Sequence, residues 1–171
     1  MEDVPIPPEQ AHDPWGKNVP GLGLGRDPAR TPMPWDRTPN GGFCPPDVAP
    51  WLPLGSESDE VNVAVELADP RSMLSLTRRL LALRRASPAL SVGGYQPLDG
   101  EGVPDDCFVY LREADEDRVL VALNFSDGER LLRLPDGDCE VLVSTHLDRE
   151  GSGDGRSFRL RAAEGCVIRL R

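Results

Sequence analysis

The stretch DPRSMLSLTRRLLALRRA, residues 69–86, predicts the one long helix of this chain. Asp69 is a good N-cap, Pro70 suits the first helical position, and Pro88 ends the helix. Its apolar residues recur at helical spacing and form a stripe: Met73, Leu76, Leu80 and Leu83. A single helix with such a stripe needs another surface to cover it, supplied by the chain before it, the chain after it, or both.

On the C-terminal side, the hydrophobic period changes from about residue 93 onward, and short runs alternate with turn residues. The runs that predict strands are Cys107–Arg112, Arg118–Phe125, Arg130–Leu134, Glu140–Thr145, Ser157–Arg161 and Cys166–Leu170. Short antiparallel strands at this spacing are typical of a β-sandwich or a small barrel. The expected fold class is therefore mainly β, with one amphipathic helix in front of the β-module.

On the N-terminal side, prolines interrupt every window of residues 1–60 that is long enough for a helix. The segment nevertheless carries Trp15, Trp35 and Trp51, which are costly to leave in water and are rare in disordered linkers. We therefore expect a long, irregular but ordered loop that lies on a larger surface.

The loop contains GLGLG, residues 21–25, which resembles a phosphate-binding loop only superficially. No strand precedes it, no helix can start well after it, and the Gly-Lys-Ser/Thr of a nucleotide loop is absent. A tight or flexible turn explains these glycines better than phosphate binding.

Charge and composition exclude several classes of function. The 171 residues are 39% hydrophobic and carry a formal net charge of −10. Without a basic patch, nucleic-acid binding is disfavoured. No apolar run approaches the roughly 20 residues of a membrane helix, and the acidic start MEDVPIPPEQ does not resemble a signal peptide. We expect a cytoplasmic protein with no nucleic-acid or membrane partner.

The residue types that usually bind metals are scattered along the chain. The cysteines are Cys44, Cys107, Cys139 and Cys166, and no C-x-x-C motif occurs. His12 and His146 also lack ligand spacing. We expect ordinary thiols in a reducing compartment, no metal and no cofactor.

The segment RTPMPW, residues 30–35, places Arg30 on a stretch that two prolines stiffen. A guanidinium held beside Trp35 suits recognition of a carboxylate or of sugar hydroxyls. A purely structural arginine, paired with Asp27 or Asp36, explains the same pattern, so the residues alone leave both interpretations open.

Several blocks in the same order give the chain a resemblance to the C-terminal third of α-glucosidases of glycoside hydrolase family 13. This group includes oligo-1,6-glucosidases and trehalose synthase-like enzymes. The most specific block is RD-x-x-RTPM-x-W at 26–35. The others are IPPEQAHDPWGKN (6–18), NGGF (40–43), PWLPL (50–54), VNV (61–63), DPRSMLSLTRRLLALRRASPAL (69–90) and VLVALNFS (119–126).

The resemblance implies a domain division. The family fold is a (β/α)8 barrel followed by an antiparallel β-sandwich. Residues 1–90 would then be the last loop and last helix of the barrel, and residues 91–171 the C-terminal sandwich. The active sites of TIM barrels lie at the C-terminal ends of the barrel strands, and the last loop of the barrel would lie at that same end.

The resemblance also implies site residues. Arg30 matches the arginine that lines the glucose subsite, with possible support from Asp27, Thr31, Trp35, Asp36 and Phe43. The family's catalytic carboxylates lie on barrel segments that would precede residue 1, so no catalytic residue is predicted here. Two positions depart from the usual pattern, because Pro34 and Glu66 stand where the family usually has glutamine.

The resemblance implies a fragment of an α-glucosidase that is inactive alone. Its expected partners are an α-glucoside or oligosaccharide in the complete enzyme and a separately encoded barrel portion. The alternative is a stand-alone carbohydrate-binding or protein-interaction β-module. Against that alternative, we expect few of the module's aromatic rings to be exposed, because most of them sit at alternating strand positions.

Overall fold

The computed structural model describes residues 3–19, 25–100, 102–134, 137–153 and 157–171. The GLGLG stretch, apart from Gly25, lies outside these residues, as do parts of the expected turns at 135–137 and 151–155. The chain forms two compact units, Met1–Leu74 and Ser75–Arg171. The family division at residue 90 remains a prediction. Within the described ranges, no helix combines the length and apolar content needed to cross a bilayer.

The first unit is mostly irregular, as expected, but it contains two short helices, α1 (Pro14–Asn18) and α2 (Val63–Ala68). Short 3-10 turns lie at Pro8–Gln10, Asp27–Arg30 and Pro39–Gly42. Each α-helix begins at a side-chain cap: Asp13 accepts from Trp15 N at 2.9 Å, and Asn62 accepts from Val65 N at 3.0 Å.

Two buried aspartates hold distant parts of this unit together. Asp13 Oδ2 accepts from Arg26 Nε at 2.8 Å, and Asp27 Oδ2 accepts from the backbone of His12 at 2.6 Å and of Asp13 at 2.8 Å. The hydrogen bonds from Arg26 and Trp15 lower the pKa of Asp13 to about 2. Side-chain carboxylates here satisfy backbone donors that a sheet would otherwise satisfy.

The long helix, α3, spans Met73–Ala86 and begins four residues later than expected. Asp69 does not cap it, because its carboxylate accepts from Arg71 N within the preceding turn. Instead, Glu66 Oε2 accepts from Leu74 N at 2.9 Å, so a carboxylate on α2 binds the first turn of α3. The predicted stripe is only partly covered: Leu76 is buried, whereas Met73 is 68% and Leu80 37% exposed.

A fourth helix, α4 (Pro88–Val92), follows the proline that ends α3. Ser87 caps it and donates from Oγ to Asp117 Oδ2, which also accepts from Ala89 N at 3.1 Å. The hydrogen bond from Ser87 lowers the pKa of Asp117. The S-P signal for this helix was present in the sequence, but we did not predict it.

The second unit contains two antiparallel sheets. The six-stranded sheet has the order β1-β2-β3-β8-β5-β6, and the two-stranded sheet pairs β4 with β7. The strands are β1 Gly94–Pro97, β2 Cys107–Ala114, β3 Asp117–Asn124, β4 Arg130–Arg133, β5 Cys139–Ser144, β6 Gly151–Gly153, β7 Ser157–Leu160 and β8 Gly165–Leu170. All six predicted strands are present, so the mainly β fold class is confirmed. Sequence reasoning missed β1 and β6, which are short edge strands without apolar alternation.

The large sheet has a hydrophobic core on each face. One core lies between the two sheets and contains Leu120, Ile168, Leu132 and Leu160, all nearly inaccessible. The other lies under the helices, where Leu76 and Ala89 pack with Val119, Val121, Val143 and Val167. Val141 belongs to the first core and not to the helix-side core, because a bulge between Val141 and Val143 shifts the register of β5.

A charged cluster lies next to the inter-sheet core. Glu164 is 1% exposed and accepts hydrogen bonds from Arg161 (2.6 Å), Arg149 (2.7 Å) and Ser144 (2.6 Å). Burial alone raises the pKa of Glu164, but the hydrogen bonds from Arg161 and Ser144 outweigh it and lower the pKa from 4.5 to about 2. The ionised carboxylate is therefore part of the folded state.

The two leucines of α3 provide a matched test of helix docking. Leu76→Ala should cost about 2–5 kcal/mol of unfolding free energy because it leaves a cavity in a packed core. Leu80→Ala should cost less than about 1 kcal/mol because Leu80 is 37% exposed. Urea unfolding of both variants measures the difference, and equal losses would contradict the burial pattern of α3.

Acid should expose the contribution of Glu164. Its folded-state pKa is lowered, so its stabilisation is fully present above pH 4.5 and is lost as the pH falls towards about 2. Glu164→Gln should lower the unfolding free energy at pH 7 by about 3 kcal/mol, because it breaks a buried ion pair. It should also make the unfolding free energy depend less on pH below pH 4.5. Glu129→Gln, which removes the exposed partner of Arg159, is the control. If the unfolding free energy of Glu164→Gln fell as steeply in acid as that of the parent, Glu164 would not be the group responsible for the acid dependence.

Candidate functional site

Arg30, the predicted sugar-binding residue, ends the 3-10 turn Asp27–Arg30 and is exposed. Within the part of the chain that the structure describes, its guanidinium has no hydrogen-bond or ion-pair partner. The following residue, Thr31, is extended, so the 3-10 turn stops at the arginine. The guanidinium is therefore available to a ligand.

The two carboxylates that could have paired with Arg30 bind other groups. Asp27 is 4% exposed, and its Oδ2 accepts from two backbone N–H groups. Asp36 Oδ1 accepts from the Thr38 hydroxyl and from Thr38 N at 2.8 Å, and the hydroxyl bond lowers the pKa of Asp36. The structural ion pair that the sequence left open is not formed with either aspartate.

Residues 31–35 form an extended segment with alternating exposure. Pro32 and Pro34 are buried, whereas Met33 is 44% and Trp35 49% exposed. The carbonyls of Pro34 and Trp35 accept from the first N–H groups of α2, Val63 N at 3.1 Å and Ala64 N at 3.0 Å. The start of a helix thus fixes the backbone next to Trp35 while its ring stays accessible.

A tight turn follows and positions Phe43. Asn40, Gly41 and Gly42 all have positive φ, at 59°, 59° and 67°. Gly41 O accepts from Trp35 N at 2.7 Å, and a Cβ on Gly42 would lie 2.8 Å from Asp36 Oδ1. The requirement for glycine here explains the NGGF block. It also places Trp35, Asp36 and the 44%-exposed Phe43 in one locally closed turn.

The predicted site residues therefore fall into two groups. Arg30, Trp35 and Phe43 present accessible side chains, whereas Asp27 is buried, and Asp36 and Thr31 are half-buried. Thr31 lines a pocket that also contains Pro5, Pro34, Glu57 and Val61, which sequence reasoning did not anticipate. Asp27 supports the loop and does not offer its carboxylate to a ligand.

The other tryptophans of this unit are also accessible. Trp15 is 54% and Trp51 51% exposed, and His12 stacks on Trp51 with ring centroids 6.2 Å apart. That they pack against a missing barrel remains a prediction.

One cluster in the second unit resembles a reactive centre that the sequence did not suggest. Candidate ligand atoms of His146, Asp148 and Glu164 lie within 4.8 Å of one another. Both carboxylates are engaged by Arg161, however, and the pKa of Glu164 is lowered where a catalytic acid needs it raised. We interpret the cluster as a structural ion-pair network.

Aromatic residues of the β-module are more exposed than expected. Tyr95 is 56%, Phe108 45% and Phe125 73% exposed, and only Phe158 is buried. Tyr110 lies between Tyr95 and Phe108, with ring centroids 5.3 and 5.5 Å away. Alternation along β2 places Phe108 and Tyr110 on the helix side of the sheet, opposite to Val109 and Leu111 of the inter-sheet core.

Comparison with known proteins gives a consistent result. Residues 2–93 match the family described as alpha amylase, catalytic domain. The oligo-1,6-glucosidase of Halalkalibacterium halodurans is 38% identical over 151 residues, which are 84% of this chain and 25% of that protein. The oligo-1,6-glucosidase of Parageobacillus thermoglucosidasius is 33% identical over 86% of this chain and 26% of its own length.

Solved structures agree with the sequence matches. The trehalulose synthase MutB from Pseudomonas mesoacidophila MX-45 has a TM-score of 0.80 and 28% identity, covering 99% of this chain and 33% of that one. A variant of MutB has been solved in complex with its substrate sucrose. The chain thus spans about a quarter of the length of the curated relatives it matches.

Proposed function

Because the chain belongs to the alpha-amylase catalytic-domain family, we propose that it is part of an α-glucosidase. It contributes one wall of the α-glucoside site, and it also contributes the C-terminal β-domain. In this proposal Arg30 binds sugar hydroxyls, and the remaining three quarters of the enzyme supply the catalytic carboxylates, either in one polypeptide or as a separately encoded portion. The relatives' names support the glycosidase assignment.

The observation that carries this proposal is the free guanidinium of Arg30. It is exposed on a segment that is fixed by proline and by the start of α2, while Asp27 and Asp36 bind other groups. A pre-positioned guanidinium loses little entropy on binding. The accessible ring of Trp35 adds an apolar face against which the carbon-bearing side of a sugar can pack.

We also propose that the chain does not cleave glycosides alone. Retaining hydrolysis needs two carboxylates about 5–5.5 Å apart, one of them protonated as the acid. The close pair Asp148 and Glu164 does not meet this need, because both form ion pairs with Arg161 and the pKa of the buried Glu164 is lowered, not raised. Arg30 cannot serve as the acid because its charge is fixed.

The proposed location is the cytoplasm. The support is that all four cysteines are free thiols, with Cys139 and Cys166 buried in the inter-sheet core.

The isolated chain should release p-nitrophenol from p-nitrophenyl α-glucoside no faster than a protein-free blank. The physical reason is that the close carboxylate pair among the described residues, Asp148 and Glu164, is bound by Arg161 and provides no protonated acid, because the pKa of Glu164 is lowered. Hydrolysis that disappears when a single carboxylate of this chain is replaced, with Tm unchanged, would show that the chain carries its own catalytic pair.

Arg30 is tested in an assembled enzyme, made by joining the upstream part of the H. halodurans oligo-1,6-glucosidase to residue 1. There, Arg30→Ala should lower kcat/KM roughly 10- to 100-fold, since hydrogen bonds to a charged group are worth about 1.5–3 kcal/mol. The control is Arg71→Ala, which removes an exposed arginine of the same unit. If both variants keep the parent kcat/KM, Arg30 does not contact substrate.

A further inference from the structure

Asn62, the middle residue of the VNV block at 61–63, is a buried polar residue to which the proposed function assigns no role. It lies in the first unit and is 3% exposed. Its Oδ1 accepts from Val65 N at 3.0 Å, and its Nδ2 donates to the carbonyls of Ser58 at 3.0 Å and Asp59 at 3.3 Å. Because water does not reach this site freely, removing the amide would leave these partners unsatisfied.

The helix that follows Asn62 binds the segment that carries the candidate sugar-binding residues. We call this segment, residues 30–35, the sugar wall. The first N–H groups of a helix have no partners inside the helix. In α2, Val63 N donates to Pro34 O at 3.1 Å, and Ala64 N donates to Trp35 O at 3.0 Å. The start of α2 therefore fixes the backbone at the end of the sugar wall.

The next two N–H groups of α2 bind Asn62 itself. Val65 N donates to its side-chain oxygen, and Glu66 N donates to its carbonyl at 3.0 Å. Asn62 has an extended backbone, with φ −146° and ψ 165°, which is typical of an N-cap residue. The place where α2 begins therefore depends on this cap.

A further contact joins the residues after Trp35 to the same helix start. Arg37 Nε donates to the Asp59 carbonyl at 2.8 Å, and that carbonyl also accepts from Asn62 Nδ2. Trp35 N donates to Gly41 O at 2.7 Å. The backbone of Trp35 is thus bound on both sides, while its ring is 49% exposed.

We infer that Asn62 is a positioning residue for the sugar wall: it fixes the start of α2, whose first N–H groups orient Trp35 for contact with a sugar. Pro32 and Pro34 are buried and stiffen the same segment, so the effect extends to Arg30. A wall that has its binding geometry before the ligand arrives loses less entropy on binding. The inference rests on the proposed function and adds to it a residue that does not touch the sugar.

The test compares Asn62→Ala with Asn124→Ala, a matched control in the second unit. Asn124 is also 3% exposed; its Nδ2 donates to two carbonyls, at 2.8 and 2.7 Å, and its Oδ1 accepts from a backbone N–H at 3.0 Å. Both variants also carry Trp15→Phe and Trp51→Phe, so that Trp35 is the only tryptophan left of three. Time-resolved fluorescence anisotropy then measures the fast local rotation of the Trp35 ring.

In the 171-residue chain, Asn62→Ala should increase the amplitude of this rotation at least about twofold, because the local structure that holds Trp35 is weakened. Asn124→Ala should leave the amplitude unchanged, although it loses as many hydrogen bonds. Asn62→Ser should restore the parent amplitude, because serine caps a helix about as well as asparagine does. An unchanged amplitude in Asn62→Ala, an equal increase in Asn124→Ala, or no rescue by Asn62→Ser would each overturn the inference.

Val63→Pro breaks the link without altering Asn62, and it replaces Asn62→Ala if that variant does not fold. Proline is favoured at the first helical position, and the extended backbone of Asn62 suits a following proline. The substitution removes the N–H that binds Pro34 O, whereas Val63→Ala keeps it. The Trp35 rotation should therefore be larger in Val63→Pro than in Val63→Ala, and equal amplitudes would overturn the inference.

Kinetics separate this inference from the proposed function. In the fusion to the upstream part of the H. halodurans oligo-1,6-glucosidase, Asn62→Ala should raise KM roughly 3- to 10-fold with kcat unchanged, because a looser wall binds substrate more weakly. Loss of folded enzyme would instead lower the apparent kcat alone. If the Trp35 rotation increases and KM does not, the positioning of the ring stands and the proposed function is contradicted. If the rotation is unchanged, the inference fails whatever KM does.

Discussion

The central strand β3 is buried on both faces, and the rest of the second unit depends on this constraint. Val119, Leu120, Val121 and Ala122 are each no more than 7% exposed. A strand with two buried faces needs a layer on each side, which is why its sequence is a continuous apolar run and not an alternating one. The small β4–β7 sheet covers one face, and α3 with α4 covers the other. The second cover is incomplete, because Leu80 of α3 remains 37% exposed.

The first unit meets the opposite constraint, because it has almost no regular structure to satisfy its backbone. Buried carboxylates take over this task, with Asp13 and Asp27 binding N–H groups from distant segments. Asp27 and Asp36, the two aspartates that could have paired with Arg30, bind other groups instead. The exposed guanidinium of Arg30 therefore has no partner among the described residues, so the structural needs of the loop and its proposed binding role come from the same arrangement.

Sequence reasoning predicted the fold well where the hydrophobic period was strong. The six strands with alternating or continuous apolar residues were all found, and α3 was placed to within four residues at its start. The error at Asp69 arose because Glu66, eight residues before Leu74, supplies the carboxylate that binds the helix start. A bond between residues this far apart in the sequence lies outside a capping rule that considers only neighbouring residues. The bulge between Val141 and Val143 is likewise a feature that strict alternation does not predict.

The sequence selected candidate residues but could not say which of them are accessible. RTPM and NGGF pointed to Arg30 and Phe43, and their role in a site stays a prediction. Only the structure distinguishes Asp27, which binds backbone N–H groups, from Arg30, which has no partner among the described residues. The same distinction applies to Glu164. Asp148 and Glu164 are close enough to suggest a carboxylate pair, but Arg161 binds both of them, and the buried Glu164 also binds Arg149. Distance between carboxylates therefore identifies a catalytic pair only together with a raised pKa in one member. Here the lowered pKa of Glu164 assigns the pair to the stability of the fold and not to acid catalysis.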